Sequence, residues 1–393
     1  SNLDWGFEKH PPLSAFFPEI FYQIFGRQDW AYYLLSQIFV VFSFAVVFKL
    51  AKEFLKNDFH ALLSVLLLEG IYFYNFTTPE FNVNVCQIPF WSLTVYYFWQ
   101  CFKNDKVQNW VLLGLFAALG VLSKYLFIYL LIGMVIFFIF KLKKNKNFNY
   151  KCFISIVVFL LVLTPHFMWL IDNDFKTISY GLKRTSLENA SSLNYLLNPL
   201  KFILKQIGIL IPFFCLLSLV VSKFKFKFNL RDEKLIYLIS ITLVPILFML
   251  LTSLIFGMNI RTMWMTPFYI FFGLLFVYIF EFKINLNYLN RFTIIFLFVF
   301  IFSPAVYLYV SLSKDDKRTD FPGKEIARLV QARWNKNFTN KISVVVGDEW
   351  LGGNLSYHLK SRPRWFNNLS TEIKNLELNG GVIYTGNAKV LKS

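Results

Sequence analysis

Charged residues are scarce in this 393-residue chain. Asp, Glu, Lys and Arg make up 16% of it, against roughly 25% in soluble domains. That shortage excludes an ordinary water-soluble surface. Cysteine is rare too: Cys86, Cys101, Cys152 and Cys215 lie in or beside apolar segments, without metal-type spacing. They read as small core residues, which excludes a disulfide framework. The sequence also has no glycine-rich phosphate loop, no Cys/His metal motif and no serine nucleophile elbow. No nucleotide cofactor is therefore expected. It has no signal-peptide pattern and no initiator Met, and it opens in the middle of a motif, so a further piece upstream of Ser1 is expected.

What it has in abundance is apolar and aromatic surface. Hydrophobic residues make up 56% and aromatics 20%, with 49 Phe and a mean hydropathy of +0.50. Apolar runs repeatedly reach the ~20 residues that cross a bilayer. Candidate spans fall at about 31–50, 59–76, 85–102, 108–122, 125–141, 152–171, 200–222, 235–256, 263–280 and 292–312, ten in all. Ser123-Lys124 separates the fourth from the fifth. Before them, residues 13–25 mix Phe, Tyr and Ile with Glu19 and Gln23 and suit an interfacial helix.

The formal charge of +17 would suggest nucleic acid in a soluble chain, but here its distribution matters more, and no nucleic-acid partner is expected. The junctions near 49–56, 103–106, 141–151, 223–234 and 283–291 hold 17 Lys and Arg, and the alternate junctions hold nine. The lysine-rich side should be cytoplasmic, with both termini opposite. After residue 312 the pattern changes. A helical stretch, KEIARLVQARW, is followed by a β-type run at 342–346, a possible helix at 354–359 and a short strand at 381–384. The expected architecture is an all-α polytopic membrane bundle over 1–312 with a small soluble α/β domain over 313–393.

The polar residues on the non-cytoplasmic side form groups. Asp4, Glu8, Lys9 and His10 precede Pro11-Pro12, a stiff turn that can hold charged side chains in place. Glu80, Asn82 and Asn84 fall in the loop after the second span; His166, Lys183 and Arg184 follow the sixth; Arg261 and Trp264 precede the ninth. Each has a plain alternative. The asparagines suit helix capping, Lys183 and Arg184 suit lipid headgroups, His166 suits an interfacial position, and Lys124 suits snorkelling from a helix end. Together, carboxylates and amides facing basic residues suit transfer of a group from a phosphate leaving group: a carboxylate deprotonates the acceptor, and cations or a metal stabilise the phosphate.

Gly6 to Leu13 resembles the first-loop motif of the GT-C membrane glycosyltransferases, in the PMT-like branch that includes protein O-mannosyltransferases and the lipid A aminoarabinose transferase. Asn82-Val83-Asn84 with Ile88-Pro89-Phe90-Trp91 resembles that branch's second outer motif. Leu122 to Tyr125, Pro165 to Phe175 with Arg184, Trp264 to Pro267, Phe321-Pro322-Gly323 and Gly347 to Trp350 are similar to further branch features. The resemblance implies an enzyme of the bacterial inner membrane with its active face in the periplasm. It would be an inverting hexosyl- or pentosyltransferase using a polyprenyl-phosphate-linked sugar, amid membrane lipids, on an envelope acceptor such as lipid A or another glycan. It implies catalytic roles for Glu8, Glu80 and Asn84, and substrate contacts for Lys9, His10, Asn82, Lys183, Arg184 and Arg261. Glu8 and His10 would position phosphate or a divalent metal ion.

Two departures stand out. No acidic-aromatic motif, the site of the family's principal catalytic Asp, precedes residue 1, so the resemblance implies either such a segment upstream or an inactive chain. Where many members carry a second Asp, this chain has Asn84, which cannot act as a base. Lys9, inserted between Glu8 and His10, shifts the first-loop alignment by one residue. The rival class is a transporter or flippase of lipid-linked saccharides, which should show repeated halves or ionisable residues at the bilayer midplane.

Overall fold

The computed structural model describes residues 4–145, 148–185, 193–224, 229, 231–313, 320–367 and 380–386. Parts of the 172–199 loop and of the lysine-rich junctions, at 186–192, 146–147 and 225–228, lie outside the described residues. The chain divides into two compact units, Asp4–Leu308 and Tyr309–Ser393, and the division falls inside one long helix.

The first unit is helical. After α1 (Leu13–Phe25) come α2 (Asp29–Phe54), the short α3 (Asp58–Leu66) and α4 (Tyr72–Asn75), then α5 (Val83–Asn104), α6 (Val107–Ser123) and α7 (Ile128–Asn145). The rest are α8 (Cys152–Asp172), α9 (Lys176–Lys183), α10 (Asn194–Ser218), α11 (Glu233–Phe256), α12 (Phe272–Phe280) and α13 (Leu289–Ser313). Among the described residues, six helices are long and apolar enough to cross a membrane; a pair bent by 51°, Thr262–Tyr269 with Phe272–Lys283, brings the number to seven if it is one span. The other three expected spans are helical but interrupted or short. A 3-10 turn at Leu67–Gly70 breaks residues 58–75, α6 has 17 residues, and Asn84, Gln87 and Gln100 punctuate α5.

Local chemistry sets the boundaries. Asn82 caps α5, its side-chain oxygen accepting from the amides of Asn84 and Val85, and Asp232 caps α11 through Lys234 and Leu235. Gly257, with φ of 65°, ends α11. Close packing needs small residues: at Gly114 of α6 a Cβ would fall 2.3 Å from the Ser155 carbonyl of α8. Bulky residues fill the centre, where Trp91, Phe127 and Phe268 pack ring against ring. In contrast, the apolar windows of α8 and α13 are 11% and 0% buried, so their side chains face outward as lipid-facing helices do.

The bundle has two chemically distinct ends. At the lysine-rich end, Glu53 of α2 accepts from Trp99 Nε1 and Gln100 Nε2 of α5 and pairs with Lys103, while Lys234 donates to the Glu53 carbonyl oxygen. Lys141 pairs with Glu233 and Lys151 with Asp105. These contacts place the lysine-bearing junctions together, as the alternation of spans requires. The loops bearing the 4–12, 75–84, 124 and 172–185 segments gather at the opposite end.

The second unit contains α14 (Gly323–Asn337), β1 (Ile342–Gly347), α15 (Glu349–His358), β2 (Arg364–Phe366) and β3 (Gly381–Thr385). Its sheet is parallel with order β2-β1-β3; Val345 faces Trp365 on one side and Ile383 on the other. A register irregularity between Ile342 and Val344 puts Ile342 with Val345 against Ala327 and Leu355, while Val344 and Val346 pack with Phe366. This is the small α/β domain expected from the sequence.

Candidate functional site: a cationic cluster at the loop-rich end

Lys124 is the residue around which the loop-rich end is arranged. It sits between α6 and the turn that opens α7, with 7% of its surface exposed. Its ammonium donates to Asn84 Oδ1 at 2.5 Å and lies 5.2 Å from the Trp264 ring centroid. Its carbonyl accepts from Gln87 Nε2 at 3.0 Å. Among the described residues no carboxylate pairs with it. A buried, unpaired cation is costly, and burial, then the Arg184 charge, pulls its pKa well below the ordinary lysine range.

Arg184 and His10 face the same spot. Arg184 follows α9 directly and donates to Tyr180 Oη at 2.6 Å, with its guanidinium 5.6 Å from that ring. No ion pair holds it among the described residues. His10 is pushed down to about 4, first by burial and then by the charges of Lys124, Arg184 and Lys9. At neutral pH its imidazole is uncharged. Three cations around a neutral histidine favour an anion.

The segment before His10 is held by side chains. His166, 3% exposed, meets the Trp5 carbonyl through Nδ1 at 2.5 Å and Tyr125 Oη through Nε2 at 2.8 Å. Because a carbonyl only accepts, Nδ1 carries the proton and Tyr125 donates to Nε2. Thr177 Oγ1 donates to the Phe7 carbonyl at 2.7 Å. Gly6 between them lies on Trp169, where a Cβ would fall 2.4 Å from the indole.

The structure brings together Lys9, His10, Asn84 and Arg184 of the residues read from the sequence. Asn82 is occupied in capping α5, with its amide nitrogen donating to the Glu80 carbonyl. Glu80 is exposed and accepts from Tyr307 at 3.4 Å rather than meeting Lys124. Glu8, Lys183 and Arg261 are exposed. Sequence reading missed the centrality of Lys124 and the parts of Tyr125, Tyr180 and Thr177. The signal for Lys124 was present, a lone lysine between two apolar runs. A divalent ion fits poorly here: among the described residues no three His, Cys, Asp or Glu side chains cluster, and His10 lies in the field of three cations.

Taken together, these features describe a multi-pass membrane protein with a cationic cluster at its loop-rich end. Residues 9–169, the stretch that carries His10, Asn84, Lys124 and His166, match the family model described as dolichyl-phosphate-mannose-protein mannosyltransferase. The crystal structure of ArnT from Cupriavidus metallidurans bound to undecaprenyl phosphate superposes with a TM-score of 0.59. That match covers 97% of this chain and 80% of that one at 13% identity. The apo state of the same protein gives 0.55, with 93% and 76% covered at 12% identity. At such identity the likeness is one of fold. No curated protein matches the sequence. Over residues 9–169 the chain is similar to that mannosyltransferase family, and its fold is similar to that of the ArnT structures.

Proposed function

We propose that this chain is a membrane glycosyltransferase that moves a sugar from a polyprenyl-phosphate donor to a cell-envelope acceptor: a lipid such as lipid A, a glycan or a protein. The observation that carries this reading is the Lys124 ammonium, buried beside Arg184 with no carboxylate among the described residues to pair it. A phosphate docked there would supply the missing anion and accept hydrogen bonds from Lys124, Arg184 and Lys9. The family match and the ArnT-like fold support the same reading.

In the proposed reaction the acceptor hydroxyl attacks the anomeric carbon of a hexose or pentose from the face opposite the phosphate, inverting it. The bond from that carbon to the phosphate oxygen breaks, and its electron pair stays on the phosphate, whose growing charge the cations stabilise. The acceptor's proton passes to a carboxylate, for which Glu8, exposed two positions before His10, is our assignment. Glu80 and Asn82 would orient the acceptor, with Asn84 holding Lys124. Lys183 and Arg261 would meet the lipid phosphate or neighbouring headgroups. The lysine asymmetry supports a cytoplasmic lysine-rich end and a periplasmic site in a bacterial inner membrane.

The test is sugar transfer from a radiolabelled polyprenyl-phosphate sugar in proteoliposomes. Arg184→Ala should lower the rate roughly ten- to a hundredfold, the value of one charge-assisted contact. Lys144→Ala removes a lysine that pairs with Glu233 at the other end and should leave the rate near wild type. Equal rates for Arg184→Ala and wild type at sub-saturating donor would contradict the reading.

A further inference from the structure

Segment 5–10 has little secondary structure of its own; the bond from the Phe7 amide to the His10 carbonyl is long, at 3.4 Å. Its two carbonyls flanking Gly6 are instead taken by His166 Nδ1–H and Thr177 Oγ1–H. Both donors come from one stretch, the loop-rich end of α8 and the start of α9, and Arg184 follows that same α9. Tyr125, which donates to the far side of the His166 ring, directly follows Lys124. A histidine inside the apolar α8 loses hydration, and two hydrogen bonds offset that loss. A phenylalanine would fill the space without making either bond.

We infer that His166 and Thr177 are positioning residues, which grip the carbonyls of Trp5 and Phe7 and so fix Lys9 and His10 against Lys124 and Arg184. This role rests on the donor-phosphate reading above, and it extends the site to two residues that touch neither phosphate nor sugar. With both bonds made, the α8–α9 stretch carries the clamp and the Arg184 contact together. Without them, Gly6 could lift from Trp169 and His10 would move into water.

The test uses the full chain in nanodiscs with ¹³C-histidine labelling, the His10 signal being assigned by its loss in His10→Gln. Two quantities are read: the titration of His10 and the affinity for undecaprenyl phosphate. In His166→Phe, His10 should titrate well above the wild-type value of about 4, and the affinity should fall about tenfold, the loss of one charge-assisted contact. His166→Asn places an amide nitrogen near the Nδ1 position and should restore both quantities. If His166→Phe does not fold, Thr177→Val against Thr177→Ser gives the same comparison at the second grip.

His10 staying at about 4 in both His166→Phe and Thr177→Val would overturn the clamp. A raised His10 titration with wild-type affinity would overturn the positioning role. A wild type that binds no undecaprenyl phosphate would overturn the donor reading and this role with it. The His10 titration would still reveal whether the clamp exists, so the two failures are distinguishable.

Discussion

Asn84 and Lys124, 40 positions apart, meet through a buried 2.5 Å hydrogen bond in which the amide oxygen accepts from the ammonium. An aspartate at the same place would neutralise the lysine; an asparagine holds it without doing so. That contact leaves the charge unneutralised, which is where the proposed donor phosphate would bind. Asn84→Asp should form an internal ion pair and weaken binding of undecaprenyl phosphate by about tenfold, because the phosphate must compete with a fixed carboxylate. Tighter binding in Asn84→Asp, measured by equilibrium titration in nanodiscs, would contradict this account of the pair.

Acidification should destabilise the protein through His10. Its folded pKa, about 4, is lower than the ordinary histidine value of 6.5, so below about 6.5 the unfolded chain binds the proton more readily. The stability that His10 confers is complete above pH 6.5 and is lost as the pH falls through that window toward 4. After solvent screening the loss should be on the order of 1–2 kcal/mol. Thermal unfolding between pH 7 and pH 4 should show a steeper fall for wild type than for His10→Gln.

Gly6 lies flat on Trp169, with no room for a methyl group. Gly6→Ala should cost about 1–3 kcal/mol by forcing the indole or the loop aside. The double variant Gly6→Ala/Trp169→Leu should recover part of that loss, since the two positions are in contact and their effects are not additive. Additive losses in the thermal midpoints would show that the loop does not rest on the tryptophan.

At the other end, Glu53 holds Trp99, Gln100 and Lys103. Glu53→Leu strands the indole and amide donors and should cost about 2–3 kcal/mol. Donor affinity per folded molecule should be unchanged, because none of these groups faces Lys124. A specific loss of affinity at full folding would mean that the two ends are coupled.

The helical bundle was legible because long apolar runs have few alternatives. The sidedness of the loops was legible because lysines alternate with the spans. The span count was less so: the 3-10 turn at Leu67–Gly70 interrupts a run that composition alone reads as continuous. Within the site, Lys9, His10, Asn84 and Arg184 could be read because each stands near Pro-Pro, a cap position or another charge. For Lys124 the plain alternative, snorkelling from a helix end, starts from the same sequence as burial, a lysine after an apolar run. Only the tertiary contact with Asn84 separates them. Thr177 had no signal at all, since a threonine that grips a carbonyl 170 positions away looks like any other.

The most direct measurement of the central claim compares binding of undecaprenyl phosphate and of uncharged undecaprenol to wild type, Lys124→Met and Arg184→Ala in nanodiscs without anionic lipid. If the buried lysine and its arginine await a phosphate, wild type should prefer the phosphate at least tenfold. Each variant should lose most of that preference while keeping its affinity for the alcohol. Equal binding of phosphate and alcohol by wild type, or a preference untouched in both variants, would contradict the account.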